Sequence, residues 1–341
     1  MKKLFSIVLA IVILIFIVSM RQKAVLCVAD SEVRPSITFI VGEDKPGNNY
    51  FTQAEEYFSW DARDKTDKVV KTCRSLGDII SHLNETAVKD ELTWGTVNVV
   101  LHGNVWTGLS MDITQGGHRA TPKRLVQSVL LKTYPDVFPD AIDSCTQLNF
   151  YGCGIGKNPM VVQSLKKMFT NQDGQRPELF ISPDYVVFSS AKNASSPVML
   201  RANYWPYIFK RGYQPSLGNI ASALRKKYPS KDVDWMAALE SEEITEAENT
   251  FNQSFHIPVS HTVIYSDSES RPSVSTELEK ENWISEQESL LNKISAVGIP
   301  QDKFTWTINK IRYTNTDGTI EPAIRAIGMA TILCVLEARE Y

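Results

Sequence analysis

The chain has 341 residues, 36 basic and 39 acidic side chains and a formal net charge of -3, with 43% hydrophobic and 22% charged residues. That is the composition of an ordinary globular protein, long enough to bury a substantial core in one large domain or two smaller ones. The near-neutral charge, with no basic stripe, argues against a nucleic-acid partner, and the four cysteines beyond Cys27 are too sparse in so long a chain for a disulfide scaffold.

The N-terminus reads as a targeting segment. Lys2 and Lys3 precede an apolar run at 4–18, broken only by Ser6, and Cys27-Val28-Ala29 offers a small-residue cleavage site. Residues 1–29 are therefore expected to be either a signal peptide or a retained N-terminal membrane anchor, since the run lies near the lower limit for a spanning helix. Both readings export the rest of the chain, to be periplasmic, secreted or tethered, with membrane contact only through this segment.

Ile37-Thr38-Phe39-Ile40-Val41-Gly42 reads as a first strand, 48–60 as a helix and 68–73 as a second strand. Ser75 then caps a helix carrying Leu76, Ile79, Ile80 and Leu83 on one face. A strand at 97–101 follows. Residues 119–138 read as a helix with Pro122 in its first turn and Leu125, Val129 and Lys132 at helical spacing. The next strand is 148–151, and Asn158-Pro159 opens a helix striped by Val161, Leu165 and Phe169. Short strands at 179–181 and 186–188 complete five alternations of strand and helix. That order predicts an α/β domain with a doubly wound, mostly parallel sheet.

Beyond Ser190 the pattern changes. Tyr204, Trp205, Tyr207, Phe209 and Tyr213 form an aromatic stretch that reads as core, followed by a helix at 217–228. Residues 240–248 are acidic. Strands are expected at 256–265 and 304–313, with a helix at 277–294 between them and a turn at Asp317-Gly318 after the second. Cys334, inside the apolar run 330–336, reads as a buried small hydrophobe. The expected organisation is an α/β domain at 30–230 and a mixed α+β region of unknown role at 231–341.

Two segments carry the chemistry. Val97-Asn98-Val99-Val100-Leu101-His102-Gly103 and Leu148-Asn149-Phe150-Tyr151-Gly152-Cys153-Gly154 are apolar runs that end in a reactive side chain beside glycine. With one helical crossover between them, His102 and Cys153 are expected at the carboxyl ends of two consecutive parallel strands, where open α/β sheets bind ligands. A thiol and an imidazole on one rim make a nucleophile–base pair. The plainer reading makes Cys153 half of a structural bridge, with Cys145 as a partner; the four cysteines after residue 29 allow three pairings. Asn104 suits turn chemistry or the edge of the cleft, and His118 in a glycine-rich loop is a further cleft candidate. The histidines and cysteines lack close zinc-ligand spacing, so no metal and no cofactor is expected. An α/β-hydrolase is disfavoured because Tyr151 and Ile155 stand where a nucleophile elbow needs glycines.

The His-Gly block, followed fifty-one residues after His102 by the Gly-Cys block, resembles the caspase–legumain–gingipain superfamily of cysteine peptidases. Cys153-Gly154-Ile155-Gly156 is similar to the Cys-x-x-Gly arrangement of several branches, including bacterial caspase-like domains. Residues 212–224, with Ser216, Leu217, Ile220 and Ala223, resemble the helix that follows the core in many members. The resemblance covers about 37–228 and departs at Gly152, where many active members carry alanine. It implies a Cys153 nucleophile, a His102 general base or acid, and an oxyanion hole from the backbone N–H groups of Gly103 and Cys153, with Gly154 beside them. The substrate implied is a protein or peptide. The competing expectation is a catalytically silent caspase-like module that binds or assembles. Oligomeric state is left open by the sequence.

Overall fold

The computed structural model describes residues 34–46, 48–60, 66–189, 197–242 and 249–340. The expected signal or anchor at 1–29 and most of the acidic stretch at 240–248 lie outside these residues. The chain divides into two compact units, Met1–Arg201 with Glu340–Tyr341, and Ala202–Arg339.

The first unit is α/β. Its strands and helices run β1 (Ser36–Val41), α1 (Tyr50–Trp60), β2 (Lys68–Val70), α2 (Leu76–Asp90), β3 (Thr96–Leu101), β4 (Gly103–Asn104), β5 (Gly108–Leu109), α3 (Pro122–Leu131), β6 (Gln147–Tyr151), α4 (Pro159–Met168), β7 (Glu178–Ile181) and β8 (Tyr185–Ser189). Among the described residues β2, β1, β3, β6 and β7 form a sheet in that order, and each neighbouring pair runs parallel. Strand alternation sends side chains to two different cores. Ile37, Phe39 and Val41 of β1, Val97, Val99 and Leu101 of β3, and Leu148 and Phe150 of β6 pack with α2, α3 and α4. On the opposite face Ile40, Val100 and Tyr151 pack with Tyr50, Phe51, Ala54, Tyr57 and Phe58 of α1 and with Val186 and Phe188 of β8. The sheet is thus covered on both sides, which its near-continuous apolar strands require. The order reverses between β1 and β3, and a crevice at such a reversal is where parallel sheets hold ligands.

Local signals explain most boundaries. Ser75 caps α2 in a reciprocal box with Asp78. Thr121 caps α3 with Pro122 at its first position, and Asn158 caps α4 ahead of Pro159. The predicted 119–138 helix is shorter than expected. Its chain exits at Lys132, which adopts a left-handed cap, and Pro135 disfavours helix at the residue before it.

The second unit contains β9 (Val198–Lys210, which begins in the first unit), α5 (Leu217–Lys227), α6 (Trp235–Glu240), β10 (Thr250–Ile264), α7 (Glu277–Glu286), α8 (Glu288–Val297), β11 (Thr305–Thr314) and β12 (Ile320–Glu340). β12 pairs antiparallel with β10 and with β11. The expected boundary near 230 moves to 201. Ile220, Ala221 and Leu224 of α5 are buried against Trp205, Phe209, Trp235, Leu333 and Val335, all of the second unit, so α5 packs into the C-terminal core. The expected 277–294 helix is two helices that meet at Gln287. Cys334 is fully buried in β12, as its apolar neighbours predict.

Candidate active site

β3 and β6 are adjacent and parallel, in register from Thr96 with Gln147 to Val100 with Tyr151. His102 follows β3 directly and Cys153 follows β6 after Gly152. Both side chains therefore leave the carboxyl ends of neighbouring strands, as the sequence pattern predicts.

On the His102 side the chain folds back at once in a small hairpin. Gly103 pairs with Leu109 and Asn104 with Gly108. The Asn104 Oδ1 accepts from the N–H groups of Trp106 at 3.0 Å and Thr107 at 2.8 Å and from the Thr107 hydroxyl at 3.0 Å. Asn104 thus serves turn chemistry. Arg119 holds the hairpin from outside, donating to the Leu109 carbonyl at 3.0 Å, the Ser110 hydroxyl at 3.0 Å and the Thr107 hydroxyl at 3.2 Å.

The His102 ring is packed in aromatic side chains from the start of α1. Tyr50 stacks on it at 4.7 Å between centroids, 29° between planes, and Phe51 lies at 4.6 Å. Asp44, in the loop after β1, accepts from the N–H groups of Phe51 at 2.8 Å and Thr52 at 2.9 Å. Burial lowers the His102 pKa below the ordinary imidazole value; Asp44 opposes that shift and Lys45 adds to it. His102 is accordingly neutral at pH 7. Against the upward push of burial, hydrogen bonds from Thr52 and Phe51 and the nearby His102 hold the Asp44 carboxyl below its usual value.

On the Cys153 side the chain turns through Gly154 in the left-handed region (φ 69°) into a single 3-10 turn, Ile155–Lys157. Backbone bonds fix this turn against the segment after β7: Gly154 N–H donates to the Asp184 carbonyl at 3.0 Å and Gly156 N–H to the Ser182 carbonyl at 2.9 Å. Cys153 is a free thiol, so a bridge to Cys145 is not its role. Its sulfur donates to the Val186 carbonyl at 3.8 Å. Burial pushes the thiol pKa up to about 11, with the Val186 bond pulling slightly the other way. No hydrogen bond joins Cys153 to His102 among the described residues. Tyr50 lies in reach of both: its ring stacks on His102, its hydroxyl donates to the Tyr151 carbonyl at 3.3 Å, and its phenol, raised by burial, is raised further by charge on Cys153.

The glycines after the two strands have a shared cause. Ile155 is fully buried. A Cβ at Gly103 would meet its Cγ2 at 2.8 Å and the Gly108 carbonyl at 2.9 Å, while a Cβ at Gly152 would meet its Cδ1 at 2.9 Å. Ile155 therefore fills the space over both strand exits. It also accounts for glycine rather than alanine at 152.

Of the N–H groups beside these two side chains, those of Gly103 and Cys153 take no acceptor among the loop and turn bonds of the described residues. The Ser110 N–H donates to the His102 carbonyl at 2.8 Å, which makes Gly103 and Leu109 a pair of the non-hydrogen-bonded kind. The ladder leaves the Gly103 N–H uncommitted. The Cys153 N–H, in the turn beyond β6, is the second. These are the two N–H groups expected to form an oxyanion hole.

His118 is exposed in the loop before Arg119, where its carbonyl accepts from the Ile113 N–H at 2.9 Å; no contact joins it to His102 or Cys153 among the described residues. Tyr50, Phe51 and Asp44 carry no distinguishing signal in the sequence, because aromatic residues opening a helix look like ordinary core. Among the described residues no cluster of three or more His, Cys, Asp or Glu side chains is arranged to hold a metal, and no helix is long and apolar enough to cross a membrane. A scan against protein-family models finds no match to this chain, and searches of curated proteins and of solved structures find none.

Proposed function

We propose that this protein is an exported cysteine endopeptidase of caspase-like type, with Cys153 as nucleophile and His102 as its base. The observation that carries the reading is that His102 and Cys153 leave the carboxyl ends of adjacent parallel strands, with the N–H groups of Gly103 and Cys153 beside them and Tyr50 stacked on the imidazole. In the reaction the Cys153 sulfur attacks the scissile carbonyl carbon while its proton passes to His102. The oxyanion is held by the two N–H donors, each worth about 3 kcal/mol in such sites. His102 then returns the proton to the leaving amine, and water hydrolyses the thioester. The resting pair is thiol and neutral imidazole rather than an ion pair, given a thiol pKa of about 11 and a lowered imidazole. Proton transfer therefore accompanies attack, and the contact tightens only with substrate bound.

A second reading, a silent binding module, draws on the bond between the Cys153 thiol and Val186. A pool of fluorogenic peptides separates the two. The peptidase reading predicts hydrolysis that Cys153→Ala abolishes and His102→Ala lowers by about 10²–10⁴-fold, with both variants folded. Hydrolysis that persists in Cys153→Ala, or none in the native chain, contradicts it.

A further inference from the structure

We infer that Asn158 is a positioning residue that ties the Cys153 loop to the His102 loop, an inference that rests on the peptidase reading. Asn158 does two separate things with one side chain. Its Oδ1 caps α4, accepting from the N–H groups of Met160 at 3.1 Å and Val161 at 3.3 Å. Its Nδ2 donates to the Val105 carbonyl at 2.8 Å. Capping alone needs only an acceptor, and serine or aspartate would supply it as well. The donor half reaches across to the hairpin that begins one residue after His102. It is a side-chain hydrogen bond from the turn after Cys153 to that hairpin, and Asn158 is only 8% exposed, so water competes little for it.

The surroundings make this bond the adjustable part of the clamp. Ile155, in the same turn, already fills the space over Gly103 and Gly152. Packing of that kind sets how close the two loops lie but leaves them able to slide. A directed bond to Val105 fixes the register, and with it the distance over which a proton must pass from sulfur to imidazole. Misplacement by about 1 Å at a reacting pair lowers rate by as much as 10²-fold.

The two halves separate by substitution. Asn158→Asp keeps the capping acceptor and removes the donor; Asn158→Ser also keeps a capping oxygen, on a shorter side chain. Both are compared with the native chain and His102→Ala on the best substrate from the fluorogenic pool. The expected result is a kcat about 10- to 100-fold lower with KM unchanged in both variants and the thermal midpoint within a few degrees in Asn158→Ser; Asn158→Asp, which sets a carboxylate oxygen against the Val105 carbonyl, should melt lower. The acid limb of the pH profile should flatten as it does in His102→Ala, and Asn158→Asp should add little on top of His102→Ala. A folded Asp or Ser variant with native kcat, or one whose loss multiplies fully with that of His102→Ala, overturns the inference while leaving the dyad intact. If His102→Ala itself has no effect, the dyad fails and the inference falls with it.

Discussion

The two strand ends that hold the proposed nucleophile and base are built by different means. After β3, His102 is held by side chains: Asn104 and Arg119 shape the hairpin that follows it, and Tyr50 and Phe51 both pack against its ring. After β6, Cys153 is held by backbone: the bonds from Gly154 and Gly156 to the 182–184 segment, with glycines packed against Ile155. The imidazole thus sits in a mount that single side chains can loosen. The thiol sits in one that only a change of backbone or volume disturbs. An arrangement of this kind suits a pair in which the base adjusts and the nucleophile stays fixed.

The largest effect that sharpens the comparison is steric. Gly103→Ala places a Cβ against both Ile155 and the Gly108 carbonyl, and a backbone oxygen cannot yield as a side-chain tip can. We expect it to lower stability by about 1–3 kcal/mol, read from denaturant unfolding. Gly152→Ala meets chiefly the Cδ1 of Ile155, and its loss should be smaller. Ile155→Val removes that Cδ1 but keeps Cγ2, so it should restore Gly152→Ala and fail to restore Gly103→Ala. Equal rescue of both would show that Ile155 does not bear on the two exits through different atoms.

Next in size is the hairpin. Asn104→Ala leaves three donors without their acceptor and should lower stability by about 1–2 kcal/mol. Asn104→Asp keeps the acceptor and should stay near native. If both variants behave alike in unfolding curves, the side-chain account of the His102 mount is wrong.

What the sequence disclosed and what it hid divide along the same line. Runs such as Val97-Asn98-Val99-Val100-Leu101 have one physical use, a strand buried on both faces, and their glycine exits were legible. The caps at Ser75 and Asn158 were equally plain. The hairpin of β4 and β5 was not, because two-residue strands carry no periodicity. The aromatic packing around His102 was hidden for another reason: Tyr50 and Phe51 contribute to the core as well, and burial pattern alone does not say what else a ring touches. Nor did the spacing of Leu125, Val129 and Lys132 disclose that the helix stops at Lys132, since the signal to stop is Pro135, three residues later. The uncommitted N–H groups follow from register, which no reading of side chains supplies.

A last set of effects is that of pH on stability. Burial raises the thiols of Cys153 and Cys73 to about 11 from 9.0. Folded protein then holds protons that the unfolded chain has lost, so stability should be complete below about pH 9 and fall as pH rises towards 11. His102 is shifted the other way, below 6.5. The unfolded chain takes up its proton first, and stability should fall as pH drops through 6.5. Thermal midpoints across pH test both limbs: Cys153→Ala should soften the alkaline loss and His102→Phe the acid one.

The most direct test of the paired action of Cys153 and His102 is mass spectrometry of the folded protein after treatment with peptidyl acyloxymethyl ketones at neutral pH. These electrophiles present a carbonyl beside a leaving group and need a nucleophile seated in a competent site. The account predicts one adduct, on Cys153, with Cys73 unlabelled and with the rate cut about 10²-fold or more in His102→Ala. Labelling of Cys153 that proceeds equally fast without His102, or that spreads indifferently over the cysteines, would contradict it.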